Sequence, residues 1–150
     1  MVSDQFLREP LNDVSIRGDL RRVGAVGVDI VRISRVREIA KRRGERFLNR
    51  YFSKGEVEYS FTKSDPYPHL AARFAAKEAA FKAFSSAGVR GLPLSSFEVV
   101  LGGGGVPAIR DSGRASCRFA SDNIAVSLSH DGDLAIAVVM LSGELSVTNK

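Results

Sequence analysis

Two carboxylates stand where solvation does not explain them. Asp29 falls inside the apolar run from Val23 to Val31, and Glu78 lies on an alanine-rich stretch with aromatic residues at helical spacing. Burying a carboxylate is costly unless it is paired or binds a metal. Two resolutions are open on the residues alone. Each acid pairs with a basic neighbour such as Lys82 or Arg73, or both hold a hard dication. Magnesium typically takes one or two carboxylates, while waters and substrate phosphates complete its octahedron.

Phosphate is the natural companion of such a site. Arg73, Lys77 and Lys82 share the segment of Glu78, and they could hold phosphates, arginine through a planar fork and lysine as a point charge. Lys77 lies amid the aromatic stripe, where an unpaired ammonium is expensive. His130, beside Ser129, could donate to a phosphate or exchange a proton near neutral pH. His69, at a helix start, has less claim. Gly102 to Gly105 lack the spacing of a dinucleotide fingerprint or a phosphate-binding loop and read as a turn.

These residues need elements to carry them. In a strand over Val23 to Val31, Val26, Val28 and Ile30 share one face, while Ala25, Gly27 and Asp29 share the other, leaving room for a ligand beside Asp29. Helices are predicted at about 34–43 and 45–52, interrupted by Gly44. Ser53-Lys54-Gly55-Glu56 has capping-box spacing and opens a third helix to about Phe61. Residues 62–68 read as a loop. The longest helix is predicted from His69 to Ser86, with Leu70, Phe74, Phe81 and Phe84 on one side and alanines on the other, both sides suited to burial. Strands follow at 97–101 and 106–110, a short helix near 114–121, and two strands at 124–128 and 134–141 joined through Ser129-His130-Asp131-Gly132-Asp133.

A chain of 150 residues, 44% apolar, fits one domain, expected over 23–141 between an amino-terminal extension at 1–22 and a polar tail at 142–150. A single cysteine, Cys117, excludes an internal disulfide and a thiolate metal cluster. No apolar run approaches the roughly 18 residues of a bilayer span, and with no targeting pattern at the start the expected location is the cytoplasm, without membrane association. Net charge is +5, and eight basic residues between Val31 and Arg50 face only Glu38 and Glu45. Such a field favours an acidic partner.

Three segments, AVGVDIVRISRV at 25–36, LAARFAAKEAAFKAF at 70–84 and VSLSHDGDLAIAVV at 126–139, resemble in order the pattern of the holo-acyl-carrier-protein synthases, as does FSKGEVEYS at 52–60. The resemblance implies a compact α+β phosphopantetheinyl transferase fold, with a long central helix packed on an antiparallel sheet, assembled as a homotrimer with active sites between subunits. It implies transfer of 4′-phosphopantetheine from coenzyme A to a serine of an acyl carrier protein, in fatty-acid or polyketide synthesis. Asp29 and Glu78 match its magnesium-holding acids, and Lys82 lies close to the phosphate chemistry with Glu78. Arg73, Lys82, Ser129 and His130 match coenzyme A contacts. The basic first helix, with Arg35, Arg42 and Arg46, matches the carrier-docking surface; these three are spaced to project from one side if helical geometry continues past Gly44. The serine proton acceptor stays open among a metal-ordered water, Glu78 and a substrate phosphate. Val106 stands where the family often has a lysine, and Ser85 where it often has a glycine. Two other readings are a transferase domain cut from a larger synthase and a basic nucleic-acid-binding module, the latter leaving Asp29 and Glu78 unexplained.

Overall fold

Alternation along the first strand sets up the layers. In the computed structural model, which describes residues 23–143, 145 and 147–149, β1 (Val23–Arg32) leads into α1 (Ile33–Arg43), α2 (Glu45–Tyr51), α3 (Lys54–Phe61) and the long α4 (Pro66–Ser86). The strands β2 (Phe97–Leu101), β3 (Pro107–Asp111), β4 (Cys117–Phe119), β5 (Ile124–Asp131), β6 (Leu134–Ser142) and β7 (Val147–Asn149) follow. The antiparallel sheet β1-β6-β5 is the platform, with β2-β3 and β4-β7 as separate antiparallel ribbons. The extension expected at 1–22 lies outside the described residues.

Helix α4 lies on this sheet through its alanines. Ala72, Ala75, Ala76, Ala79, Ala80 and Ala83 are all buried, as are Ala135, Ala137, Val139 and Leu141 on the facing side of β6. Small side chains let two backbones approach closely, and Gly27 marks the closest point. A Cβ there would lie 1.9 Å from the Ala79 carbonyl oxygen and 2.8 Å from the Ala83 amide nitrogen. Backbone cannot swing aside as a side chain does, so Gly27→Ala is expected to cost about 3 kcal/mol, the upper part of the usual overpacking range. A fall in the urea midpoint at unchanged slope checks it.

Local signals were read correctly at α3. Ser53 accepts from the Glu56 amide at 3.1 Å while the Ser53 amide donates to Glu56 Oε2 at 2.8 Å. Elsewhere the fold departs from expectation. Helix α4 begins at Pro66 because Asp65 caps it, accepting from the Tyr67 amide at 3.1 Å, and proline is tolerated in a first turn that needs no amide donor. Phe81, expected to be buried, is 43% exposed. The segment expected to be helical at 114–121 supplies β4, whose partner β7 comes from the polar tail. Asp111 stabilises that arrangement by accepting from the Gly113 and Phe119 amides at 2.6 and 3.0 Å and from Arg118 at 2.7 Å.

The far face of the sheet is apolar and open. Val26, Val28 and Ile30 are 55%, 52% and 59% exposed, and register sets them against Met140, Val138 and Ile136. Among the described residues no helix is long and apolar enough to cross a membrane.

Candidate active site

Pleat places Asp29 on the α4 side of β1, and helical spacing places Glu78 and Lys82 one turn apart on α4. Asp29 and Glu78 line one cavity of about 750 Å³ with Arg32, Arg35, Phe47 and Phe74 among its walls. Lys82 Nζ donates to Asp29 Oδ1 at 2.8 Å and to the Val28 carbonyl at 2.9 Å. Pairing with Lys82 is therefore real for Asp29. Glu78 is left with the opposite problem: burial, then the charge of Asp29, push its carboxyl above the ordinary range against the opposing pull of Lys82.

That imbalance is what a cation would correct. Two carboxylates facing a cavity suit magnesium, which needs no more than one or two protein carboxylates. Among the described residues no group of three or more His, Cys, Asp or Glu side chains is placed to hold a metal, so a site demanding an all-protein cage does not fit.

The hairpin loop steers α1 to this cavity. Asp133 accepts from the Ser34 amide at 2.7 Å and the Ser34 hydroxyl at 2.6 Å, and its carbonyl accepts from the Ile33 amide at 2.8 Å. These bonds satisfy orphan donors at the start of α1, beside Arg35. Arg35 and Arg42 stay two turns apart on α1, but the helical continuity that would align Arg46 with them is broken. Gly44, at φ 54° and ψ −137°, separates α1 from α2. Arg35 lines the carboxylate cavity, whereas Arg42 and Arg46 line a neighbouring one of about 540 Å³ with Arg43 and Arg50; Phe47 borders both.

A second, smaller pocket of about 210 Å³ gathers Arg73, Ser129 and His130 with Tyr59 and His69. Ser129 and His130 sit on β5 rather than in the turn, because β5 runs to Asp131 and the loop is Gly132-Asp133, with Gly132 at φ 54°. Arg73 is buried over the Tyr59 ring, 4.3 Å from its centroid, and its Nε has no hydrogen-bond partner.

Lys77 belongs to neither pocket. Its ammonium is 2.8 Å from Glu56 and donates to the Phe97 carbonyl, with both side chains essentially fully buried. Its expected phosphate role gives way to a structural one. Glu56, 2% exposed, is also a more deeply buried acid than the two singled out from sequence, where only its capping spacing was visible.

With that geometry in place, comparison with known proteins is decisive: the model of the 4′-phosphopantetheinyl transferase superfamily matches residues 25–139. The chain belongs to that superfamily. Within the 4′-phosphopantetheinyl transferase superfamily it is similar to a holo-[acyl-carrier-protein] synthase of Thermodesulfovibrio yellowstonii, 40% identical over 120 residues that cover 80% of this chain and 99% of that protein. One from Carboxydothermus hydrogenoformans is 42% identical over 118 residues, covering 77% and 94%. Of solved structures, the ACPS–CoA complex of Chronobacterium ammoniagenes matches with a TM-score of 0.64 at 32% identity, covering 80% of this chain and 97% of that one. The α+β transferase fold expected from sequence is thus the observed one. Tyr59, which sequence reasoning passed over, is placed beside Arg73 by the packing of α3 on α4, and His69, which it discounted, stands one helical turn before Arg73.

Proposed function

We propose that this enzyme transfers 4′-phosphopantetheine from coenzyme A to a serine of an apo-acyl-carrier protein, leaving adenosine 3′,5′-bisphosphate. The observation that carries it is the meeting of Asp29 and Glu78 at one cavity, with Lys82 paired to Asp29, in a chain matched to the superfamily over residues 25–139. The serine oxygen forms a bond to the β-phosphorus as the bond to the 3′,5′-bisphosphate oxygen breaks. Such transfers rest on positioning and charge neutralisation. Asp29 and Glu78 would hold magnesium, which when bound neutralises phosphate charge. Lys82, paired with Asp29, supplies a positive charge beside this cavity, and Glu78, a metal-ordered water or a substrate phosphate would take the serine proton. Arg73, Ser129 and His130 receive another part of coenzyme A. Arg35, Arg42 and Arg46 receive the acidic carrier in the cytoplasm, for fatty-acid or polyketide synthesis.

Incubation with coenzyme A, magnesium and an apo-carrier protein should add phosphopantetheine to the carrier by mass spectrometry. An unmodified carrier under conditions where a known transferase succeeds would overturn the reading.

The enzyme works as a homotrimer. Two features support this: the open apolar face of Val26, Val28 and Ile30, and the division of the proposed contacts between two separate pockets of one chain. Pairing one copy's carboxylate cavity with another copy's Arg73 pocket would complete the site, in a closed symmetric assembly. Val28→Glu should then lower the mass seen by light scattering to that of a monomer and lower transfer with it. A monomeric variant with full activity would contradict shared sites.

A further inference from the structure

We infer that His69 is a third basic contact of the Arg73 pocket, closing with Arg73 and His130 around the 3′-phosphomonoester of coenzyme A. The inference rests on the transfer reading above, which gives the diphosphate to the carboxylate cavity and leaves the monoester to be held elsewhere. His69 and Arg73 come from one face of α4, one turn apart, and His130 reaches the same 210 Å³ pocket from β5, with no carboxylate among the lining residues. The pocket is built rather than accidental. Tyr59 stacks under Arg73 and meets His69 edge-on at 6.0 Å, and an Arg73 amino group donates to the His69 carbonyl at 3.3 Å. Arg73 is 4% exposed with an unpartnered Nε, and burial disfavours its charged guanidinium against the opposite pull of Glu56, a cost that an arriving anion would relieve.

The charged groups around His69 decide its behaviour. Burial first, then Arg73, Lys63 and His130, hold its imidazole below the ordinary value against the weaker opposite pull of Asp65. In the free enzyme it is therefore neutral near pH 7, and a phosphate dianion arriving beside Arg73 favours its protonation. Binding takes up a proton.

The test is calorimetric binding of coenzyme A and of dephospho-coenzyme A, which lacks the 3′-phosphate, from pH 6 to 8. Wild type is compared with His69→Gln and His69→Lys at each pH, so that titration of the phosphate itself cancels. His69→Gln should weaken coenzyme A binding about tenfold at pH 6, the loss of a charge-assisted contact, and little at pH 8. It should leave dephospho-coenzyme A unchanged and reduce proton uptake. His69→Lys should bind coenzyme A as tightly at pH 8 as at pH 6 relative to its phosphate-free analogue. Equal losses for both ligands would make His69 a mere support of the helix start, and no loss at pH 6 would remove it from the site. Wild-type binding indifferent to the 3′-phosphate would also overturn the inference while leaving transfer to the carrier intact; an enzyme that binds as described yet never modifies a carrier would fail the transfer reading instead.

Discussion

Asp29→Asn and Glu78→Gln each reduce phosphopantetheine transfer about a thousandfold or more. Both acids face the cavity proposed to hold the diphosphate, and loss of charge stabilisation worth several kcal/mol corresponds to that factor at about 4 kcal/mol. Stability moves differently. The Asp29–Lys82 pair joins a half-exposed lysine to a mostly buried acid, and such partly exposed pairs are worth up to about 1 kcal/mol, so Asp29→Asn should melt near wild type. For Glu78 the sign reverses. Its folded carboxyl titrates above the ordinary value through burial and the charge of Asp29, so folding disfavours the charged form. That penalty is full above the raised value and fades as pH falls through it toward the ordinary carboxylate range. Glu78→Gln removes it and should be at least as stable as wild type at neutral pH, an inactive but intact enzyme. Transfer assays beside urea titrations at pH 7 check both halves. Near-normal rates in either variant would end the assignment of these acids.

Lys77→Met is expected to cost about 3–5 kcal/mol of stability, the range for breaking one side of a buried ion pair. The marginal stability of domains this size, about 5–15 kcal/mol, makes that a large fraction. The carboxylate left behind is tied on three sides. Glu56 accepts from the Ser53 amide of the α3 cap at 2.8 Å and from the Val99 amide of β2 at 2.9 Å, and Lys77 brings α4 to the same group. The cost is therefore that of an uncompensated buried charge, and Glu56→Gln should recover part of it. A double-mutant cycle by urea denaturation should return a coupling of at least about 1.5 kcal/mol, as contacting residues give. Transfer by the folded fraction of Lys77→Met should stay close to wild type. A stable variant with a raised Michaelis constant for coenzyme A would instead restore Lys77 to the phosphate site.

The sequence carried the local structure well because local structure has local causes. Side-chain alternation marked β1, the serine–glutamate spacing marked the α3 cap, and the alanine run marked the body of α4 and its burial. Errors fell where a distant partner overrode a local signal. Cys117 to Phe119 becomes a strand only because β7 pairs with it, and Phe81 completes a helical stripe yet stays 43% exposed. Sequence alone could also identify Asp29 and Glu78 as acids in want of an explanation, and resemblance could name the chemistry.

Which groups meet was decided by the tertiary structure. The close approach of β1 and α4, permitted by Gly27 and the alanines, brings Asp29 and Glu78 to one cavity and hands Lys82 to Asp29. Packing elsewhere consigns Lys77 to Glu56 and brings His130 to the His69–Arg73 face of α4, while the break at Gly44 places Arg46 on a separate helix from Arg35 and Arg42. Periodicity reports only which face of an element turns inward. What lies opposite depends on register and on the burial of whole faces, so a lysine in an aromatic stripe and a histidine at a helix start acquire their roles only when the chain closes.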